Sequence, residues 1–337
     1  MVSVPSRSAS GRERDRFVLA HRPARPLHDP WRHQGLLVEE ERAADGTRTT
    51  VATVFLTGRE CPWRCVMCDL WEHTIERDTP RGALVRQLDD ALATLARDHA
   101  GVSALKLYNA GSFFDPHAVP VQDYEAIAAR VARFARVIVE SHPALVGVRL
   151  MRFHDALVRA SGDAPVPRLE VALGLETAHP EALRRLGKRV TLDRFREAAR
   201  RTRQLGADVR VFLLVGVPFI PRPQQREWIA RSIAQAFDCG ASVVSLIPTR
   251  SGNGALEALE RAGLFERPSL ADVEDALERA LPSAAGRVFA DLWDLQSLAT
   301  CPACFEARRE RLRIMNLEQR VLPPVPCARC TRTFGAA

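Results

Sequence analysis

Along this 337-residue chain, short apolar runs alternate with longer stretches whose apolar positions recur every three or four residues. The runs "VATVFLTG", "SALKLYNAG", "RVIVESHP", "RLEVALGLET", "DVRVFLLVGVP" and "SVVSLIPTR" have few polar interruptions, as strands buried on both faces do. Between them, "LVRQLDDALATLARDH", "VQDYEAIAARVARFA", "LDRFREAARRTRQLG" and "REWIARSIAQAFDCG" carry the helical period. Six strand candidates separated by helices predict an α/β chain with a parallel sheet, either open or rolled into a barrel. Polar or glycine-bearing segments follow the strands: "NAGS", "ESHP", "GLET", "GVP" and "PTR". The carboxyl-terminal ends of parallel strands converge in such folds, so a site is expected there.

Both ends break the rhythm. Residues 1–35, rich in Arg, Pro, Ser and His, have no period and read as an extended or disordered arm. "GLLVEEERAADGTRTT" then turns at Asp45-Gly46 to form a hairpin with the first run. After about residue 285 come two Cys-x-x-Cys pairs joined by a basic helix and a Pro-rich turn. The expected organisation is an arm and hairpin over 1–50, a core over 51–285 and a small carboxyl-terminal module over 286–337.

With 46% hydrophobic and 26% charged residues the composition is that of a globular protein, and no apolar run approaches the roughly 20 residues of a membrane span. The first residues lack the apolar segment of a secretory signal, which places the protein in the cytoplasm. In that reducing compartment eight cysteines indicate metal binding or catalysis more than disulfides. Seven are clustered, and Cys239 reads as a small buried residue at a helix end. The net charge of +7 is almost wholly guanidinium, since Lys106 and Lys188 are the only lysines. Two helical stretches hold most of the clustered arginines: Arg194, Arg196, Arg200, Arg201 and Arg203, then Arg308, Arg309, Arg311 and Arg313. Glu197, Glu306 and Glu310 sit among them, so they read either as RNA contacts or as solvated helix faces.

The chemistry concentrates in "TGRECPWRCVMCDLWEHT", where Cys61, Cys65 and Cys68 fall directly after the first parallel strand. Three thiolates are one too few for a closed zinc site. They suit an iron-sulfur cube whose fourth iron is left open to an outside ligand. In the tail, Cys301, Cys304, Cys327 and Cys330 match a four-thiolate site that zinc or a second iron-sulfur cluster could occupy. Such a metal would take the place of a hydrophobic core too small to form.

The spacing Cys-x3-Cys-x2-Cys at that position resembles the signature of the radical S-adenosylmethionine (SAM) superfamily. "LYNAGSFFDP", "VIVESHP", "LEVALGLET" with "LGKRVT", and "FLLVGVPF" are similar to successive segments of the elongator-type family that includes the radical SAM subunit of archaeosine synthase. The resemblance covers roughly residues 50–270 and implies a partial (β/α)6 TIM-like barrel with the four-cysteine metal module appended. It also implies a 4Fe-4S cluster on Cys61, Cys65 and Cys68 that reductively cleaves SAM to a 5'-deoxyadenosyl radical. Carried over position by position, Ala110, Gly111 and Ser112 would line the methionine moiety of SAM, and Glu140 and Glu176 would face its ribose or amino group. Lys188 would pair with its carboxylate, and Gly216 and Pro218 would shape the floor near adenine. The expected partners are SAM, an electron donor, tRNA carrying a modified nucleoside, and a second enzyme subunit. A small-molecule substrate stays open, as does a metal-stapled RNA-binding module without turnover.

Overall fold

A computed structural model describes residues 3–330. Its elements, in chain order, are α1 (Gly11–His21), β1 (Gly35–Arg42), β2 (Arg48–Leu56), α2 (Ala83–Asp98), β3 (Ala104–Asn109), α3 (Tyr124–Val131), β4 (Arg136–Ser141), α4 (Val148–Ser161) and β5 (Arg168–Glu176). They continue with α5 (Pro180–Arg185), α6 (Leu192–Gln204), β6 (Asp208–Val215), α7 (Gln225–Asp238), β7 (Val243–Pro248), α8 (Ala255–Arg261), α9 (Leu270–Ala280), β8 (Arg287–Ala290) and α10 (Phe305–Glu318). The eight strands form one sheet in sequence order. β1 runs antiparallel to β2, and every later pair is parallel, giving a partly closed TIM-like barrel. The six expected parallel strands are all present, and β8 adds a seventh beyond residue 285.

Alternation along each strand separates two environments. Leu105 and Leu107 of β3 face outward and pack with Leu84 and Leu88 of α2 and Ile127 of α3 in the main core. On the other face, Val51, Ala104, Ile138 and Ala172 form an inner layer with Tyr108 and Phe212 packed against it.

Interleaved with that layer is a buried ionic group. Arg210 of β6 donates to Glu41 of β1 at 2.8 Å and to Glu170 of β5 at 2.5 Å. Lys106 of β3 reaches Glu41 and, at 2.7 Å, Glu39. Burial alone would raise the Glu41 carboxyl, but Arg210 and Lys106 overcome it and hold the group well below its usual range. Glu41 thus joins the first strand to β3 and β6 across the barrel interior.

The sheet's two edges, β1 and β8, share no backbone ladder, and α10 covers the seam between them. Asn316 accepts from Ala290 N at 2.8 Å and donates to Ala290 O at 2.8 Å. Three residues on, Gln319 accepts from Val288 N at 2.8 Å and donates to Val288 O at 2.9 Å. The two carboxamides stand where a neighbouring strand would, so the exposed edge of β8 is satisfied without one. Arg287 donates to Arg42 O at 2.9 Å, and Arg42 to Leu317 O at 3.1 Å, which completes the seam. Replacing Asn316 by Ala leaves both backbone groups of Ala290 unpaired and should lower stability by about 2 kcal/mol in urea unfolding. A change under a few tenths of that value would remove α10 from the role of edge cap.

Candidate functional site

β2 delivers the chain to a loop bearing Cys61, Cys65 and Cys68, and this loop is tied down on several sides. Val66 N donates to Leu186 O at 2.9 Å, just beyond α5. Asn253, fully buried, donates to Val66 O at 2.8 Å and Cys68 O at 3.3 Å and accepts from Leu256 N at the start of α8. Trp63 stacks on His142, with ring centroids 3.5 Å apart and planes 10° from parallel.

The outer side of the loop is held by the amino-terminal arm, so the expectation of an extended or disordered arm is corrected. Ser10 and Glu13 form a capping box that starts α1, and Phe17 and Val18 bury themselves with Val66, Leu186 and Leu256. Glu60, next to Cys61, receives Arg22 at 2.8 Å and also Arg25, with Arg64 at 3.2 Å. The Arg22 guanidinium lies 4.6 Å from the centroid of the Trp71 ring, and Arg25 donates to Thr74 Oγ1 at 2.8 Å.

Facing the cysteines is a polar group drawn from three strand ends. Glu176 closes β5 with a backbone φ of 68°, and its carboxylate accepts from Lys188 Nζ at 2.6 Å. Both lie over Gly174, where a Cβ would stand 2.2 Å from Nζ and 2.3 Å from Glu176 Oε1. Burial alone would push the Lys188 ammonium down, but Glu176 and other neighbouring negative groups hold it above its ordinary range. Glu140 of β4 joins them: burial pushes its carboxyl up to about 7, while Lys188 pulls it back. Ser112 has φ 81°, lies 3.2 Å from Ser141 Oγ and accepts from His142 N at 2.9 Å. His142 is kept neutral by burial, its titration lowered to about 3, and its Nε2 contacts Lys188 O at 2.9 Å. Gly111 packs so closely that a Cβ would lie 2.0 Å from Arg59 O. Ala110 adjoins it in the same loop. Gly216 and Pro218 flank Val217, which packs in one cluster with Val66 and Met67 of the cysteine loop. Gly216 itself abuts Pro268, with φ 78°.

The tail brings its four sulfurs together. Cys301 and Cys327 Sγ are 3.9 Å apart, Cys304 and Cys330 Sγ 3.7 Å, and all four atoms lie within 4.8 Å of one another. Among the described residues, Cys61, Cys65 and Cys68 do not make such a tight group.

A model of the radical SAM superfamily matches residues 55–229, more than half of the chain. The chain belongs to the radical SAM superfamily. It is therefore an enzyme of SAM-cleaving radical chemistry, and membership implies a 4Fe-4S cluster and SAM as its cofactors. It is 25% identical over 290 residues to archaeosine synthase subunit beta of Methanosarcina acetivorans, covering 82% of this chain and 81% of that one. Two solved structures share the fold. Methylornithine synthase (PylB) has a TM-score of 0.52 at 17% identity, over 94% of this chain and 80% of that one. Elp3 of Methanocaldococcus infernus, with an amino-terminal deletion, has a TM-score of 0.50 at 13% identity, over 68% of this chain. This chain spans 59% of that Elp3, less than two thirds. Among the described residues no helix is long and apolar enough to cross a membrane.

The loop of this radical SAM chain fits a cluster chemically. Burial pushes the Cys65 thiol up to about 12 and raises Cys61 and Cys68 as well. Such thiols ionise only beside positive charge. Lys188 supplies part of it, and cluster irons would supply the rest.

Sequence reasoning missed Trp63, His142, Asn253, Arg22 and Arg25. The stacked Trp63 lies inside the cysteine motif, but nothing in its neighbourhood names His142 as its partner. The arginine-rich helices also look different in three dimensions. On α6, Arg200 and Arg201 share Glu197 at 2.7 and 2.6 Å, and Arg196 meets Asp193 at 3.0 Å. On α10, Arg308 pairs with Glu274 at 2.5 Å, Arg311 with Glu278 at 2.8 Å, Arg309 with Glu306 at 2.9 Å and Arg313 with Glu310 at 2.8 Å. Much of the positive charge on these helices is answered within the chain.

Two outcomes follow for the loop and its surroundings. Glu60→Gln leaves the buried Arg22 without its counter-charge and should cost about 3 kcal/mol in urea unfolding; a value near zero would show that the arm does not hold the loop. Glu140, raised from 4.5 to about 7 in the fold, contributes stability that is fully present below pH 4.5 and lost as pH rises through 7. Melting temperatures of wild type and Glu140→Gln should therefore diverge across pH 5 to 7, with wild type falling relative to the variant.

Proposed function

We propose that Cys61, Cys65 and Cys68 hold the 4Fe-4S cluster and that the enzyme acts on a modified nucleoside of tRNA together with a partner subunit. The observation that carries the site assignment is the convergence of Lys188, Glu176 and Glu140 on the pinned three-cysteine loop. When bound, the cluster supplies the electron, drawn from an external donor, that cleaves SAM to the 5'-deoxyadenosyl radical.

The chain's own groups bind and orient. Lys188, held protonated, pairs with the SAM carboxylate and shares itself with Glu176. The Ala110–Gly111 backbone and Ser112 line the methionine end, where the small residues allow close approach. Glu140 and Glu176 accept from ribose hydroxyls or the amino group, and Gly216 and Pro218 shape the wall near adenine. His142, neutral, braces Trp63 and the Lys188 backbone. The 5'-deoxyadenosyl radical so supplied would take a hydrogen atom from the substrate and leave as 5'-deoxyadenosine.

The likeness to archaeosine synthase subunit beta supports both the tRNA substrate and the partner subunit. A small-molecule substrate is the second reading, favoured by the internal pairing of arginines on α6 and α10. The tail is read as a zinc site. A tetrahedral zinc with bonds of about 2.3 Å to sulfur sets its ligands about 3.8 Å apart, close to the 3.7 and 3.9 Å observed.

Anaerobically reconstituted protein should contain about four irons and about one zinc per chain. Cys65→Ala should lose the iron and all 5'-deoxyadenosine formation while keeping the zinc. About eight irons would replace the tail zinc by a second cluster, and iron retained by the variant would move the SAM cluster elsewhere.

A further inference from the structure

The uncompensated positive charge near the cysteine loop lies where α1 meets α5, away from the two arginine-rich helices. A shallow pocket there is lined by Pro5, Arg14, Phe17, Arg64, Arg185 and Phe219. Arg185 is 8% exposed, and among the described residues no carboxylate or hydrogen-bond acceptor contacts its guanidinium. It rests instead on the face of Phe219, 3.9 Å from the ring centroid. Phe219 has a backbone φ of 71°, a left-handed conformation unusual for a residue with a Cβ.

The neighbours deepen the imbalance. Arg14 makes only a 3.4 Å hydrogen bond to Arg7 O, and neither it nor Arg7 has a carboxylate within ion-pair distance among the described residues. Arg184 takes the available carboxylate, Glu181, at 2.6 Å. Arg64 is already engaged by Glu60 and the Cys61 and Trp63 carbonyls. Four guanidiniums, from Arg7, Arg14, Arg184 and Arg185, are thus answered by one close carboxylate. Burial holds Arg14 and Arg185 below the usual guanidinium range; Glu181 opposes this for both, and Arg184 adds to the lowering of both. A buried cation without a partner is costly, and an anion seated in the pocket would remove that cost.

We infer that this corner is a binding site for a phosphate group, with Arg185 and Arg14 as its principal ligands. Planar guanidiniums match phosphate oxygens in bidentate fashion, and the Phe219 ring under Arg185 fixes the plane of that one. The site backs onto Leu186 and Gly187, immediately before Lys188, so an occupant would anchor next to the proposed SAM pocket. An RNA phosphodiester fits the tRNA substrate proposed above, and this part of the inference rests on that reading. A free phosphate-bearing small molecule would use the same chemistry.

The test compares full-length wild type with Arg185→Gln and Arg14→Gln, using Arg200→Gln on α6 as a control whose charge is internally paired. Binding of an unmodified tRNA transcript is followed by anisotropy from 50 to 200 mM salt, and melting temperature is followed in inorganic phosphate against chloride at matched ionic strength. The pocket variants should each lower the salt slope by about one, with the control unchanged. If tRNA binding is unaltered but phosphate stabilises only wild type and the control, the site holds a small phosphate ligand. If neither measurement separates the pocket variants from wild type, the site does not exist. Should wild type fail to bind tRNA at all, the tRNA reading falls, and the phosphate measurement alone decides the pocket. Arg14, half-buried on α1, keeps the test intact if loss of the buried Arg185 prevents folding.

Discussion

The arrangement depends on one buried ionic group, Glu41 with Arg210, Lys106 and Glu170. A sheet whose first and last strands share no ladder needs side-chain contacts across its seam and its interior to hold it curled. Glu41 supplies interior ones, because it sits on β1 yet finds its partners on β3 and β6 across the interior. Charges this deep are costly unless every one is paired, so the sheet curvature that satisfies all of them is strongly preferred over flatter ones. The group's position at the base of the barrel leaves the carboxyl-terminal strand ends free for chemistry.

Those ends then need a different kind of support. Loops that carry function are usually mobile, and a cluster held by a loose loop would lose iron. Here the cysteine loop is gripped from within by Asn253, from one side by the stacked Trp63 and His142, and from outside by the Arg22 and Arg25 pairing to Glu60. The carboxyl-terminal segment works at the opposite structural level: Asn316 of α10 and Gln319 just after it meet the backbone of β8 with two carboxamides, and the four cysteine sulfurs lie together where the following segment returns beside the start of that helix.

Much of this was legible from the chain alone, for definite reasons. Strands buried on both faces declare themselves as apolar runs, and all six expected ones are present. The strand β8 escaped because "RVFA" is four residues long and only its pairing with β7 makes it a strand. The arm escaped for another reason: its order comes from contacts at separations such as Arg22 with Glu60, which no local periodicity can reveal. The arginine clusters were visible, but which of them remain uncompensated depends on partners such as Glu274, which lies on a separate helix from Arg308.

The sequence by itself determined the chemistry and the class of fold. Three cysteines at that spacing after a strand, four more in two pairs, and a βα rhythm are local patterns, and local patterns follow from spacing and side-chain type. Only the tertiary structure decided which groups meet: Lys188 with Glu176 over Gly174, Asn253 with the cysteine loop, Asn316 and Gln319 with the edge of β8, and Arg185, among the described residues, with no carboxylate at ion-pair distance. Electrostatic balance and hydrogen-bond satisfaction are properties of neighbours in space. They become readable only when residues tens or hundreds of positions apart are brought within a few ångströms.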